Sequence, residues 1–177
     1  MKRTLLSFFI VLMVGFSGYP ALRAGQEVGK PVTITPLAPK RSGPRQAFTD
    51  FSSIGEPLQV VIRDADAWRD LWKRIYGPDH GYGAGAKELP PLPEIDFSRD
   101  MIVVAALGGR GSSGYTIIVD GAYEQDDRLE IIVRTISPGK GCMNLTVVTA
   151  PADIVRLPKI NRSVLFREIK AVHDCNQ

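Results

Sequence analysis

The stretch from Met101 to Lys159 constrains the fold more than any other part of the chain. It consists of short apolar or alternating segments separated by turns rich in glycine and proline. Alternating apolar and polar side chains are typical of β-strands, whose successive side chains point to opposite faces of a sheet. Few side chains in the stretch are of the types that carry catalysis. The stretch therefore favours a β-rich binding or accessory domain over an enzyme.

Several strands can be placed from the pattern. Met101–Leu107 is a continuous apolar run, which predicts a strand in the centre of a sheet. Tyr115–Val119 and Leu129–Val133 both alternate and flank a polar turn, which predicts a β-hairpin. Further strands are predicted at Pro57–Arg63, Leu145–Thr149, Asp153–Leu157 and Ser163–Ile169.

One helix is predicted, from Asp64 to Tyr76. Asp64 is a candidate N-cap, and Gly77 with Pro78 ends the pattern. Apolar side chains recur at helical spacing and form one stripe, made of Trp68, Leu71, Trp72 and Ile75. The tryptophans are interpreted as core residues. Because strands do not alternate with helices, we predict an α+β fold, a mainly antiparallel β sheet or sandwich with one packed amphipathic helix.

The N-terminal residues predict export. Residues 1–24 have a basic start, an apolar run and a small residue, Ala24, at the expected cleavage point, as in a signal peptide. An uncleaved anchor is the alternative, although the run is short for a membrane span. Residues 25–46 contain four prolines and are predicted to be a linker. Residues 47–177 would form one domain, periplasmic or extracellular.

Charge argues against nucleic acid as a partner. The full chain has 22 Lys and Arg against 19 Asp and Glu, and its isoelectric point is about 8.9. Cleavage would remove Lys2, Arg3 and Arg23, and the mature chain would then have no net charge. No basic stripe remains that would suit a phosphate backbone. We also expect no membrane span after cleavage.

The chain has two cysteines, Cys142 and Cys175. In an exported protein the default expectation is a disulfide between them. Such a bond would tie the C-terminal tail to the turn at residues 137–142. A metal site made by the two cysteines and His173 is the alternative, but no fourth ligand is evident nearby.

The segment from Gly108 to Gly114 is rich in glycine and resembles phosphate-binding loops only superficially. A phosphate-binding loop needs a Lys-Ser or Lys-Thr pair at the start of a helix, whereas Tyr115 follows here and opens a predicted strand. We interpret the glycines as positions of positive φ or close backbone approach in a wide hairpin turn. Its exposed tip could contact a partner through Arg110, Ser112, Ser113 and Tyr115.

No catalytic, cofactor-binding or metal-binding residues are assigned. Ser112 and Ser113 lack the glycine spacing of a hydrolase elbow, and the histidines, His80 and His173, lie in a loop and near the chain end. The acidic turn at residues 124–127 lacks the ligand spacing of a calcium loop. The Gly- and Pro-rich segment 77–95, which holds His80 and Tyr82, is interpreted as a mobile surface loop.

The order of these elements resembles the C-terminal domain of the protease complex subunit PrcB family. The similar features are a tryptophan-containing helix, an acidic-aromatic lead into an apolar strand, a glycine-rich turn before Gly-Tyr, a Pro-Gly turn and a closing run. They lie at Asp64–Tyr76, Glu94–Val104, Leu107–Ile118, Ser137–Gly141 and Val147–Lys159. Three features depart from the family pattern: Ala152 after the proline, a long loop at 77–86, and Cys142 with the C-terminal tail.

The resemblance implies a non-catalytic exported accessory protein. Such a protein would assemble with an extracytoplasmic protease, or stabilise it, through protein–protein contacts. The expected contact surfaces are the tip at 108–114 and an exposed sheet edge that can accept a partner strand. The alternative is a β-rich module that resembles a protease inhibitor or binds peptides, and that would occlude an active site. The resemblance assigns no catalytic residue.

Overall fold

A computed structural model describes residues 29–37, 46–77 and 89–175. The predicted signal peptide, most of the predicted linker, and His80 and Tyr82 of the predicted surface loop lie outside these residues. In chain order the elements are β1 (Lys30–Pro31), β2 (Thr35–Pro36), β3 (Leu58–Ile62), α1 (Ala65–Ile75), β4 (Asp100–Ala106), β5 (Thr116–Glu124), β6 (Arg128–Pro138), β7 (Ala152–Pro158) and β8 (Ser163–His173).

The strands form two four-stranded sheets. The first sheet has the order β1-β5-β6-β8 and the second the order β2-β7-β4-β3. All neighbouring strands are antiparallel except β6 and β8, which run parallel. The predicted fold class, an α+β sandwich with mainly antiparallel strands, is confirmed.

Strand β4 has both faces buried, which explains its continuous apolar sequence. Its odd-numbered residues, such as Met101 and Val103, pack into the core between the two sheets. Its even-numbered residues, such as Ile102 and Val104, pack into a second core under the helix. Successive side chains of a strand point to opposite faces, so one strand serves both cores. The predicted central position is confirmed, because β4 lies between β3 and β7.

Helix α1 covers the outer face of the second sheet. The Asp64 side chain accepts a hydrogen bond from the N–H of Ala67 at 2.8 Å, as the sequence predicts for the N-cap. The buried side chains are the four of the predicted apolar stripe. The Trp68 Nε1 donates to the carbonyl of Pro93, and the Trp72 Nε1 donates to the carbonyl of Pro90. The two indoles thereby fasten residues 90–93 to the helix, so this part of the segment 77–95 is held against the helix-side core and is not the mobile surface loop predicted from the sequence.

Residues 29–37 belong to the sandwich, in contrast to the linker predicted for residues 25–46. Strand β1 pairs with β5 and strand β2 pairs with β7, so this segment crosses from one sheet to the other. Val32 and Ile34 pack against the core between the sheets, and Leu37 packs against the helix-side core. Its prolines are compatible with strands because both strands are at sheet edges.

Three further predictions can be compared with the structure: one is confirmed and two are wrong. The hairpin of β5 and β6 is confirmed, with a register shift between Val119 and Gly121. The segment 108–115 is not a hairpin turn, because β4 and β5 lie in different sheets and the segment crosses between them. The strand predicted at Leu145–Thr149 is instead a loop, and its main chain bonds to the 108–115 segment rather than to a neighbouring strand.

Candidate functional site

Two loops at one end of the sandwich form the candidate functional site, which we call the loop surface. The first loop, residues 108–115, lies in the connection from β4 to β5. The second, residues 139–149, lies in the connection from β6 to β7. Gly108, Gly114 and Gly141 have positive φ angles of 77°, 91° and 95°. The predicted use of glycine for positive φ is thus confirmed in the first loop.

Main-chain hydrogen bonds hold the two loops together. Arg110 and Thr149 exchange both N–H···O bonds, at 2.7 and 2.9 Å. The N–H of Ser113 donates to the carbonyl of Leu145 at 3.0 Å, and the N–H of Leu145 donates to the Ser113 hydroxyl at 2.9 Å. The Thr149 hydroxyl donates to the carbonyl of Ser112 at 3.0 Å. Each backbone is therefore fixed by the other without a regular strand pair.

A disulfide anchors the second loop to the end of β8. Cys142 and Cys175 are bonded, with their Cα atoms 5.1 Å apart, as the sequence predicts. The N–H of Gly139 also donates to the carbonyl of His173 at 2.8 Å. The loop is therefore restrained at its base by β8 and at its far side by the first loop. In this bond neither sulfur is a free thiolate of the kind that the alternative metal site would need.

The second loop exposes three large apolar side chains to solvent. Met143 is fully exposed, and Leu145 and Val148 are each 73 % exposed. Three exposed apolar side chains in one restrained loop are more informative than single ones scattered over a surface, because exposed apolar patches with polar rims are typical of protein-binding sites. These residues were not predicted as contacts. Leu145 and Val148 lie in the segment that we interpreted as a strand, and Met143 lies just before it.

The first loop contributes a charged and an aromatic side chain beside this apolar surface. The Arg110 guanidinium carbon lies 5.8 Å from the centre of the Tyr115 ring, within the range of a cation–π contact. Both side chains are partly exposed. Arginine and tyrosine are the residue types that most often dominate binding energy at protein interfaces. The pair thus gives the loop surface a polar edge with a rigid aromatic component.

The structure brings together the four predicted contact residues, but their roles differ. Arg110 and Tyr115 present side chains at the surface. Ser112 and Ser113 act within the structure, since the Ser112 carbonyl and the Ser113 hydroxyl accept bonds from the second loop. Whether any of the four contacts a partner stays a prediction.

The side chains that could ligate a metal ion do not form a cluster in the described part of the chain. Within residues 29–37, 46–77 and 89–175, no group of three His, Cys, Asp or Glu side chains is arranged to hold a metal ion. In the acidic turn, Glu124 accepts from Arg162 at 2.9 Å. The turn is therefore bound to a basic side chain of its own protein.

Two side chains outside the loop surface have shifted pKa values. Burial at the end of the helix raises the pKa of Tyr76. Hydrogen bonds from the hydroxyl and N–H of Ser98 lower the pKa of Asp96 below its usual range. Both shifts follow from local structure. In the same described residues, no helix is long and apolar enough to cross a membrane.

Comparison with known proteins gives one match. Neither the curated proteins nor the solved structures include a significant match to this chain. One family model matches this chain, from Met101 in β4 to Pro158 at the end of β7. The match is shorter than the predicted resemblance, which runs from Asp64 to Lys159, and it leaves out the helix. The matched range contains both loops of the loop surface. Residues 101–158 match the family model described as PrcB C-terminal, which confirms the predicted resemblance for this part of the chain.

Proposed function

We propose that this chain is an exported, non-catalytic accessory protein that binds an extracytoplasmic protease through its loop surface. The observation that carries the proposal is that the exposed apolar loop, with Met143, Leu145 and Val148, lies inside the segment that matches the PrcB C-terminal family. The match relates the chain to a protease complex. The exposed apolar side chains supply the kind of surface that a protein partner would cover.

The restraint of the loops supports a recognition role. A loop held by a disulfide and by main-chain bonds loses little conformational freedom when it binds, so more of the contact energy appears as affinity. Leu145 illustrates the arrangement, because its backbone is bonded to Ser113 while its side chain is exposed. The contact would centre on the apolar residues of the second loop, with Arg110 and Tyr115 at its edge.

The proposal is tested by affinity capture with matched variants. The tagged mature chain is incubated with its native extracytoplasmic fraction, and co-purifying proteins are identified and quantified. When the bait has the native sequence, we expect it to capture a protease in stoichiometric amount. The variant Leu145→Asp should reduce its capture by about tenfold or more, since a buried apolar contact would be replaced by a charge.

The control variant is Leu89→Asp. Leu89 is also an exposed leucine, but it lies outside the loop surface and outside the matched segment. It should leave capture unchanged. If a folded, disulfide-bonded bait captures no protease, or if both variants reduce capture equally, the proposed contact is wrong.

An activity assay separates the proposal from the inhibitor-like alternative. The same restrained, exposed loop would also suit insertion into a protease active site. Titration of the captured protease with the purified protein should raise its activity or lifetime if the protein is an accessory subunit. A stoichiometric loss of activity would instead support the inhibitor-like module.

A further inference from the structure

Strand β8 is a long strand at the edge of the first sheet. It has eleven residues and pairs in parallel with β6 on one side. Within the described residues, no strand pairs with its other side. An unpaired edge of this length presents a row of main-chain donors and acceptors that can bind another strand.

The main-chain groups that face this open edge can be identified. The carbonyl of His173 accepts from Gly139, at the β6 side of the strand. Because a strand directs alternate residues to opposite sides, the odd-numbered residues bond toward β6. The even-numbered residues, from Val164 to Val172, therefore present their N–H and C=O groups to the open edge.

Apolar side chains accompany these groups. Leu165 is 45 % exposed, Ile169 is 40 % exposed and Val172 is 68 % exposed. Natural edge strands are commonly protected by charged residues, and β8 carries such charges at Glu168 and Lys170. The two charges have opposite sign and are two residues apart, so they lie on the same face of the strand. Opposite charges at this spacing can pair with those of a second, antiparallel copy of the same strand.

We propose that the open edge of β8 pairs with β8 of a second copy of this chain. The two strands would run antiparallel about a two-fold axis at Ile169, and the first sheets of the two copies would join into one. Each residue i of one copy would lie opposite residue 338 − i of the other. Phe166 would therefore lie opposite Val172 of the other copy, and Ile169 opposite Ile169 of the other copy. Residues 165–173 would all be paired within the strand that the structure describes.

Charge selects this register over its neighbours. With the axis at Ile169, Glu168 of each copy lies opposite Lys170 of the other, which gives two ion pairs. With the axis one residue earlier, Glu168 would face Glu168, and with the axis one residue later, Lys170 would face Lys170. Opposite charges across a strand pair stabilise it and like charges destabilise it. The carboxylate of Glu168 already accepts from the Thr135 hydroxyl through Oε1, at 3.0 Å, which orders it on this face.

Backbone geometry permits the same register. The pairs 166 with 172 and 168 with 170 join even-numbered residues, whose main-chain groups face the open edge, and would be the hydrogen-bonded pairs. Ile169 would be a non-hydrogen-bonded pair, in which the Cα atoms are only about 4.5 Å apart. The two exposed isoleucine side chains would then cover each other. This inference is independent of the loop surface and of the proposed function.

Sedimentation analysis of charge variants tests the proposal. The native protein, with its disulfide intact, should show a reversible monomer–dimer equilibrium as its concentration is raised. Glu168→Lys and Lys170→Glu should each raise the dimer dissociation constant by about tenfold, because two attractive pairs become two repulsive ones. The double variant Glu168→Lys/Lys170→Glu restores opposite charges across the axis and should restore the dimer.

A crosslinking variant tests the position of the axis. Ile169→Cys places two thiols opposite each other, at a Cα separation within the roughly 4.4–6.8 Å that a disulfide needs. Mild oxidation should give a covalent dimer on a non-reducing gel. The control Arg69→Cys, on the exposed side of α1, should crosslink far less. Circular dichroism and thermal melting confirm that each variant is folded.

Four outcomes would overturn the proposal. The first is a native protein that stays monomeric at every concentration. The second is a dimer that is indifferent to the charge variants or is not restored by the double exchange. The third is Ile169→Cys crosslinking no better than Arg69→Cys. A monomer whose β8 edge instead binds an extended segment of another protein would also contradict pairing between copies.

Discussion

Asp153 on β7 and Val119 on β5 connect the two sheets through a hydrogen bond inside the core. The Asp153 Oδ2 accepts the N–H of Val119 at 2.8 Å, and both residues are fully buried. Val119 lies where the pairing of β5 with β6 shifts register, so its main chain departs from a regular ladder. A carboxylate from the opposite sheet satisfies the N–H at this irregularity, because a buried main-chain donor without an acceptor is costly.

Asp153→Ala is expected to destabilise the fold. The substitution leaves the Val119 N–H without this acceptor in the core, which should lower the free energy of unfolding by about 1–3 kcal/mol. Urea unfolding followed by circular dichroism measures the change. Asp127→Ala, in the exposed turn between β5 and β6, is the control and should stay within about 0.5 kcal/mol of the native protein. Equal stability of the two variants would mean that the Asp153 bond does not stabilise the fold.

Gly108→Ala is expected to destabilise the fold more than Gly111→Ala. Gly108 has a φ of 77°, and a Cβ at this position would lie 2.8 Å from the carbonyl oxygen of Gly55. The left-handed conformation alone costs a non-glycine residue roughly 1–2 kcal/mol, to which the clash would add. A Cβ at Gly111, in the same loop, meets no atom within 4 Å. Thermal melting of both variants checks the difference, and similar melting temperatures would contradict it.

Features that depend on neighbouring residues could be predicted from the sequence. The helix and its cap at Asp64 follow from local spacing, because residues three and four apart share a helix face. The central position of β4 follows from its short, uninterrupted apolar run, which is typical of a strand buried on both faces. The disulfide joins distant residues, but it could be predicted because Cys142 and Cys175 are the two cysteines of a chain that is predicted to be exported.

Features that depend on distant residues could not be predicted. Successive strands β4 and β5 lie in different sheets, and nothing in the glycine-rich segment between them distinguishes a crossover from a hairpin. Strands β1 and β2 were missed because their prolines indicated a linker. Proline is excluded from interior strands, but these two-residue strands lie at sheet edges, where proline is tolerated. The contacts of Leu145 were missed because its main chain bonds to Ser113, which is 32 positions away in the sequence.

Trp72→Ala is expected to destabilise the fold by about 3–5 kcal/mol, the usual cost of removing a buried tryptophan side chain. Trp72 is buried, its ring centre lies 5.3 Å from that of Trp68, and its Nε1 donates to Pro90 at 3.0 Å. Trp72→Phe keeps an aromatic ring and loses the hydrogen bond, so it should cost less than the alanine variant. Urea unfolding of both variants tests this order, and an equal loss for both would show that the hydrogen bond outweighs the packing.

Loss of the disulfide is expected to weaken both the fold and the loop surface. Cys142 and Cys175 are separated by 33 positions, and closing a chain loop of that size stabilises by on the order of 3–4 kcal/mol in the chain-entropy model. The variant Cys142→Ser/Cys175→Ser should unfold at a lower urea concentration by a corresponding amount. Hydrogen exchange at residues 139–145 should also accelerate, because the base of the second loop loses its covalent tie to the end of β8. The accompanying measurement is thiol labelling of the unsubstituted protein after it has been unfolded without a reductant. It should find no reactive cysteine, and labelling at both positions would contradict the disulfide and the stabilisation argued from it.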